Sequence, residues 1–235
     1  MRIISFDNAR VTWLFPLEEF APPATNNSGV VLAAIAARYG FTRTPTITTR
    51  EDMANNGLVF GLGHFQIGDD IISITDFAIY NDGIVAMAQK TEWSEAFLED
   101  IFSWVKEVFG FRELSAPVRR MLSSTIVVDF ERPLSRVLWG YEALAQIISS
   151  RTITIMSDQK PMQFSRMDFE IDRRMLDSGQ VALPKFILER RPNATFDQER
   201  WFSVAPMSTA AHIEVLSEIE KMAATAPFRN AGQRP

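Results

Sequence analysis

The chain has 235 residues, 46% hydrophobic and 23% charged, which places it with globular proteins and gives it the length to bury a core unaided. It has no cysteine and only two histidines, His64 and His212, so disulfide scaffolds, thiol nucleophiles and thiolate metal sites are excluded, and neither a metal nor a cofactor is expected. A net charge of −5 argues against nucleic acid as a partner, and the acid is unevenly spread: residues 1–110 carry 7 basic against 14 acidic side chains, residues 111–235 carry 17 against 15.

The first ten residues hold Asp7, Asn8 and Arg10 where a leader would be apolar. The longest apolar run, residues 29–37, is about half the length of a membrane span. A cytoplasmic protein without a membrane partner is the expectation.

Residues 10–17 alternate in polarity and read as a strand ended by Pro16. A helix over 28–38 is capped by Ser28 and stopped by Gly40, and its alanines (Ala33, Ala34, Ala36, Ala37) suit close approach to a sheet. Residues 44–50 lean towards strand. Strands over 57–67 and 71–80 are joined by a turn at Gly68-Asp69-Asp70, and Asn81-Asp82-Gly83 leads through a hairpin into a strand over 84–88.

A helix over 91–109 follows, closed by Gly110. Phe97, Ile101, Trp104 and Val108 form one stripe on it, and Leu98, Phe102, Val105 and Phe109 form a second beside the first. An arc that wide implies burial on more than one side. The first stripe, with Trp93, supplies the candidate self-association residues: Trp93, Phe97, Ile101, Trp104 and Val108.

The second half repeats the order. A strand over 123–130 leads to a helix over 135–149, with Val137, Leu138, Tyr141, Leu144, Ala145 and Ile148 on its apolar side. Residues 152–156, 163–171, 180–189 and 200–204 read as strands. Ser208 caps a last helix that runs through Met222, and residues 226–235 read as a flexible tail. The expected organisation is therefore α+β: residues 1–110 and 111–225 form two pseudo-equivalent β-α-β(3–4)-α halves of one compact unit. Their antiparallel sheet carries its helices on one face. Local echoes fit this: Asp76-Phe77-Ala78-Ile79 precedes Asn81-Asp82-Gly83, and Asp168-Phe169-Glu170-Ile171 precedes Asp177-Ser178-Gly179.

This layout resembles the TATA-binding-protein-like and drug-binding regulatory (GyrI-like) folds. It is also similar to a sporadically distributed bacterial family of like length, which shares the long aromatic helix of residues 93–109 and the strand and short helix of residues 126–138. The resemblance implies a fold and a bacterial setting. It carries no catalytic residue.

Few constellations suggest chemistry. Gly61 and Gly63 lack the third glycine and the following helix of a dinucleotide fingerprint, so they mark close backbone approach or a bulge. His64 shares strand parity with Leu62 and Gln66 and faces the open side of the sheet. Asp168, Glu170 and Asp172 alternate with Phe169 and Ile171, and Asp76 holds the matching place in the first half. With Arg166 and His64, these four acids are the candidate ligand-binding set. No catalytic residue is assigned.

The expected function is non-enzymatic: a self-associating homodimer that binds a partner protein or a small molecule in a bacterial accessory system such as defence or toxin regulation. The alternative is a hydrolase or nucleotide-processing enzyme working through the same acids, and it requires Asp76, Arg166, Asp168 and Glu170 to converge.

Overall fold

The computed structural model describes residues 1–21, 28–45, 56–134, 137, 139–152, 162–177 and 181–225. The strand-like segment at 46–50, the strand at 153–156 and the tail at 226–235 lie outside these residues, as do 135, 136 and 138 of the second-half helix. No described helix is long and apolar enough to cross a membrane.

The elements in chain order are β1 (Arg2–Leu14), α1 (Leu17–Phe20), α2 (Ser28–Tyr39), β2 (Leu58–Ile67), β3 (Asp70–Tyr80), β4 (Gly83–Ala88), α3 (Thr91–Phe109), β5 (Arg119–Asp129), α4 (Trp139–Thr152), β6 (Arg166–Phe169), β7 (Phe186–Arg190), β8 (Arg200–Ala205) and α5 (Thr209–Thr225). Short 3-10 turns lie at Arg173–Met175 and Phe196–Gln198. The chain divides into two compact units. Phe6–Thr125 with Pro206–Thr209 make one, here the N-terminal unit; Met1–Ser5, Ile126–Ala205 and Ala210–Pro235 make the C-terminal unit. The boundary runs through β1 and β5.

The strand order is β1-β4-β3-β2 in the first half of the chain and β5-β8-β7-β6 in the second, so each half follows the same path. Both halves run from a strand through helix to three strands and a final helix. The protein is α+β with antiparallel pairing in its described ladders.

Local chemistry explains these elements. The turn at Asn81-Asp82 delivers Gly83 opposite Leu14 of β1. A Cβ on Gly83 would lie 2.1 Å from the carbonyl oxygen of Trp13, so only glycine fits this approach. Helix α3 ends at Gly110, which is left-handed and whose N–H donates to the Lys106 carbonyl oxygen at 3.1 Å.

The inner face of α2 is Ile35 and Tyr39 with Val31 and Leu32 beside them, while Ala33 and Ala37 face solvent. Of the four alanines expected to meet the sheet, Ala36 packs against the core and Ala34 is half-buried, so that expectation holds only in part: the larger apolar side chains give more area to bury. Around Phe97 the rings of Tyr39, Phe77, Phe65 and Phe41 stand edge-on at 4.8, 5.3, 5.9 and 6.2 Å, the arrangement that the ring quadrupoles favour.

Strands β2 and β3 keep one register from Leu58↔Ile79 to Ile67↔Asp70, yet their buried side changes part-way. Phe60 and Phe77 are buried opposite one another; beyond them Gly63 and Ile74 take the inner side. Leu62, at the change, has φ of 55° and a side chain 62% exposed.

In the C-terminal unit, Trp201, Ser203 and Ala205 of β8 point inward, with Ile126, Val128, Leu188, Leu216 and His212 also buried. Several second-half boundaries shift. The 180–189 strand starts only at Phe186, because Pro184 has no N–H to extend the ladder. The 163–171 strand contracts to Arg166–Phe169, and Asp172 instead caps the 3-10 turn through the Arg174 N–H at 3.0 Å. The apolar side expected of the second-half helix is largely uncovered: on α4, Tyr141, Leu144 and Ile148 are 54, 50 and 40% exposed.

Candidate functional site

The acidic candidates form separate local pairs. Asp76, on β3 of the N-terminal unit, accepts from Arg43, which an isolated bridge to Gly61 holds beside β2. In the C-terminal unit Arg166 donates to both oxygens of Asp168, at 2.8 and 3.0 Å, and reaches Glu189 at 3.3 Å. That guanidinium holds the Asp168 carboxyl below the usual carboxylate range.

Glu170 pairs with Lys185 at 2.9 Å, and Asp172 with Arg174 at 2.7 Å. The strand ends at Phe169, so no alternation places Glu170 and Asp172 on the Asp168 face, and Phe169 and Ile171 are themselves 61 and 44% exposed. Asp76 belongs to one unit and Arg166, Asp168 and Glu170 to the other. Among the described residues no three His, Asp or Glu side chains gather as a metal-binding group.

His64 is exposed, on the same side of β2 as Leu62 and Gln66. Its ring covers Gly40 at the end of α2, where a Cβ would lie 2.2 Å from Cε1. Gly61 and Gly63 do mark close approach: Cβ atoms there would meet the Arg43 guanidinium at 2.6 Å and the Phe41 ring at 2.5 Å.

The aromatic stripe on α3 is not a free surface. Phe97 and Ile101 are 0 and 3% exposed, inside the core of their own unit, because two stripes side by side leave α3 with little outward apolar area. Trp104 is covered by the Arg38 guanidinium, 4.9 Å from its ring, and Trp93 by the Lys90 ammonium at 4.8 Å. Of the five residues only Val108, at 54%, stands in solvent.

The N-terminal unit contains an apolar cavity of about 180 Å3. Helix α1 contributes Leu17 and Phe20; α2 contributes Ser28, Val31, Leu32 and Ile35; α3 contributes Ile101, Phe102 and Val105. Leu58 of β2, Phe77 and Ile79 of β3 and Ile84 of β4 form the sheet side, and Ala21 and Phe111 are the remaining described lining residues. Ser28 is the one polar residue among them, and it is exposed.

Helix α1 has only four residues and does not stand alone. Phe20 stacks on Phe102 at 3.9 Å with the rings nearly parallel. Arg112 fastens its C-terminal end: the backbone N–H donates to the Phe20 carbonyl oxygen at 2.9 Å, and the guanidinium donates to the carbonyl oxygens of Glu18 and Ala21 at 3.1 and 2.5 Å. This wall is thus held by backbone hydrogen bonds as well as packing.

No residue pattern marks the cavity in the sequence, since its lining comes from six elements and their flanks. The trace it leaves is in the two stripes on α3, which supply Ile101 from the first and Phe102 and Val105 from the second.

No protein-family model matches the chain, and no curated protein does. Among solved structures the chain is similar to Methanococcus jannaschii TBP, at 14% identity and a TM-score of 0.41, over 95% of this chain and 97% of that one.

Proposed function

We propose that the protein works by binding, without catalysing a reaction, and that the cavity of the N-terminal unit holds a small molecule. The observation that carries this is the cavity itself: about 180 Å3 of space in an otherwise closely packed aromatic core. The cavity opens to solvent beside the exposed Ser28, and an apolar, partly open pocket of this kind suits a small molecule, whose burial there removes apolar surface from water. The acids give no comparable support to catalysis, since Asp168, Glu170, Asp172 and Asp76 each face a neighbouring cation.

Native mass spectrometry of protein purified from its own host, before and after denaturation, tests the reading. A small mass retained on the native protein, released on unfolding and lost from a V31F variant, is the expected result. An unliganded protein, indifferent to V31F and to every small molecule offered, would sink it.

Self-association is a second reading. On α4, Tyr141, Leu144 and Ile147 succeed one another at three-residue spacing and are 54, 50 and 60% exposed, so a second copy of the chain is the proposed cover. Sedimentation across micromolar concentrations decides it: a strict monomer removes the reading.

A further inference from the structure

We infer that the cavity selects an uncharged, largely hydrocarbon ligand of about the size of a substituted monocyclic aromatic ring. This rests on the binding reading above and narrows it to a chemical class.

Size comes first. An apolar cavity of about 150 Å3 accommodates benzene; the cavity here, about 180 Å3, leaves room for one ring with a small substituent.

Charge comes next. Among the described residues no ionisable side chain lines the cavity. Arg112, next to the lining residue Phe111, has its guanidinium committed to the carbonyl oxygens of Glu18 and Ala21 and does not itself line the cavity. A carboxylate or ammonium drawn against this lining would lose hydration with no counter-ion among the described residues to replace it, which is costly in so apolar a setting.

Shape follows from the rings. Phe20, Phe77, Phe102 and Phe111 all contribute to the lining, so a flat ring finds aromatic edges and faces as partners. Ser28, the single polar residue among the described lining residues, is solvent-exposed. One neutral polar group on the ligand is therefore accommodated at that side, where water or the Ser28 hydroxyl satisfies it.

The test compares toluene, benzyl alcohol and benzoate, which share a ring and differ in polarity and charge, using saturation-transfer NMR and thermal unfolding. V31F and the milder V31L place extra side-chain volume at the cavity wall, and their unfolding temperatures without ligand show whether they fold. Toluene and benzyl alcohol are expected to bind the wild-type chain and raise its unfolding temperature. Benzoate is expected to bind at least about 100-fold more weakly than benzyl alcohol. V31F is expected to weaken toluene at least about tenfold, with V31L intermediate.

Benzoate binding as tightly as benzyl alcohol would overturn the inference while leaving a binding cavity. So would a retained charged or larger molecule in the native mass spectrum with no response to toluene. Failure of all three probes, together with an empty native spectrum, would remove both the inference and the reading beneath it.

Discussion

Arg190 and Glu199 form an ion pair almost out of reach of water: Nη2 stands 2.9 Å from Oε1, and the side chains are 12 and 10% exposed. Glu199 also accepts from the Trp201 indole N–H at 3.0 Å and from the Leu134 N–H at 3.3 Å. Arg190 donates to the carbonyl oxygens of Phe164 and Phe196, and its guanidinium lies 4.5 and 4.6 Å from the rings of Phe196 and Trp201. One residue of a buried pair cannot be removed without stranding the other. Arg190→Met is therefore expected to cost about 3–5 kcal/mol in urea unfolding followed by tryptophan fluorescence. The double variant R190M/E199Q is expected to recover part of that loss, because it leaves no unpaired charge and keeps an acceptor for the Trp201 and Leu134 N–H groups; a double variant worse than the single one would contradict this account.

Gly61 and Gly63 sit two residues apart on one strand, and alanine at each meets a different kind of neighbour. At Gly63 the obstacle is the ring of Phe41, only 6% exposed and wedged among Tyr39, Phe60 and Phe97. At Gly61 it is the Arg43 side chain, 64% exposed and able to swing away. G63A is expected to cost about 2 kcal/mol and G61A less than about 1 kcal/mol in chemical denaturation. Equal costs would show that the Phe41 ring yields as readily as a surface arginine.

The first half of the chain was the more legible in sequence, and particular residues show why. Asn81-Asp82-Gly83 and Gly110 are local punctuation, and the structure turns or stops at each. Helix 91–109 was legible because two full apolar stripes admit no other element. In the second half, alternating acids suggested a strand face, but Asp172 makes a local cap and Pro184 delays the next strand. Side-chain hydrogen bonding and a missing N–H there outweigh alternation. The cavity was not legible at all. It depends on how α1, α2 and α3 meet β2, β3 and β4, and no spacing within one segment encodes that. The aromatic stripe misled for a related reason: periodicity reports an apolar face, not which protein covers it.

Thr91 and Thr209 cap one another within the N-terminal unit. The Thr91 N–H donates to Thr209 Oγ1 at 3.0 Å, the Thr209 N–H donates to Thr91 Oγ1 at 2.7 Å, and the two hydroxyls are 3.2 Å apart. Each is the first residue of its helix, where a backbone N–H has no partner inside the helix, and both are buried. T91V and T209V are each expected to cost about 1–2 kcal/mol in urea unfolding. The double variant should cost less than the two singles together, because either change already breaks the hydroxyl–hydroxyl contact. Strict additivity would mean that this contact contributes nothing.

Two groups of the C-terminal unit predict a stability profile with two separate acid steps. His212 is fully buried, its Nε2 2.8 Å from Ser203 Oγ, and burial pushes its pKa down from 6.5 to about 4. The unfolded chain takes up this proton at a higher pH than the folded one, so stability is full above pH 6.5 and falls until about pH 4. The loss is about 3 kcal/mol. Asp129 follows: hydrogen bonds from Arg200 and then Arg2 hold its pKa near 2, against an ordinary 3.8. Its contribution is complete above pH 3.8 and disappears as pH falls through about 2. Allowing for solvent screening, that second step is about 1 kcal/mol. Urea unfolding between pH 7 and pH 2 is expected to show both steps. H212Q should flatten the first and leave the second; D129N should leave the first and diminish the second, to which Asp168 and Asp172 also contribute. A first step that survives H212Q unchanged would place the titrating group elsewhere.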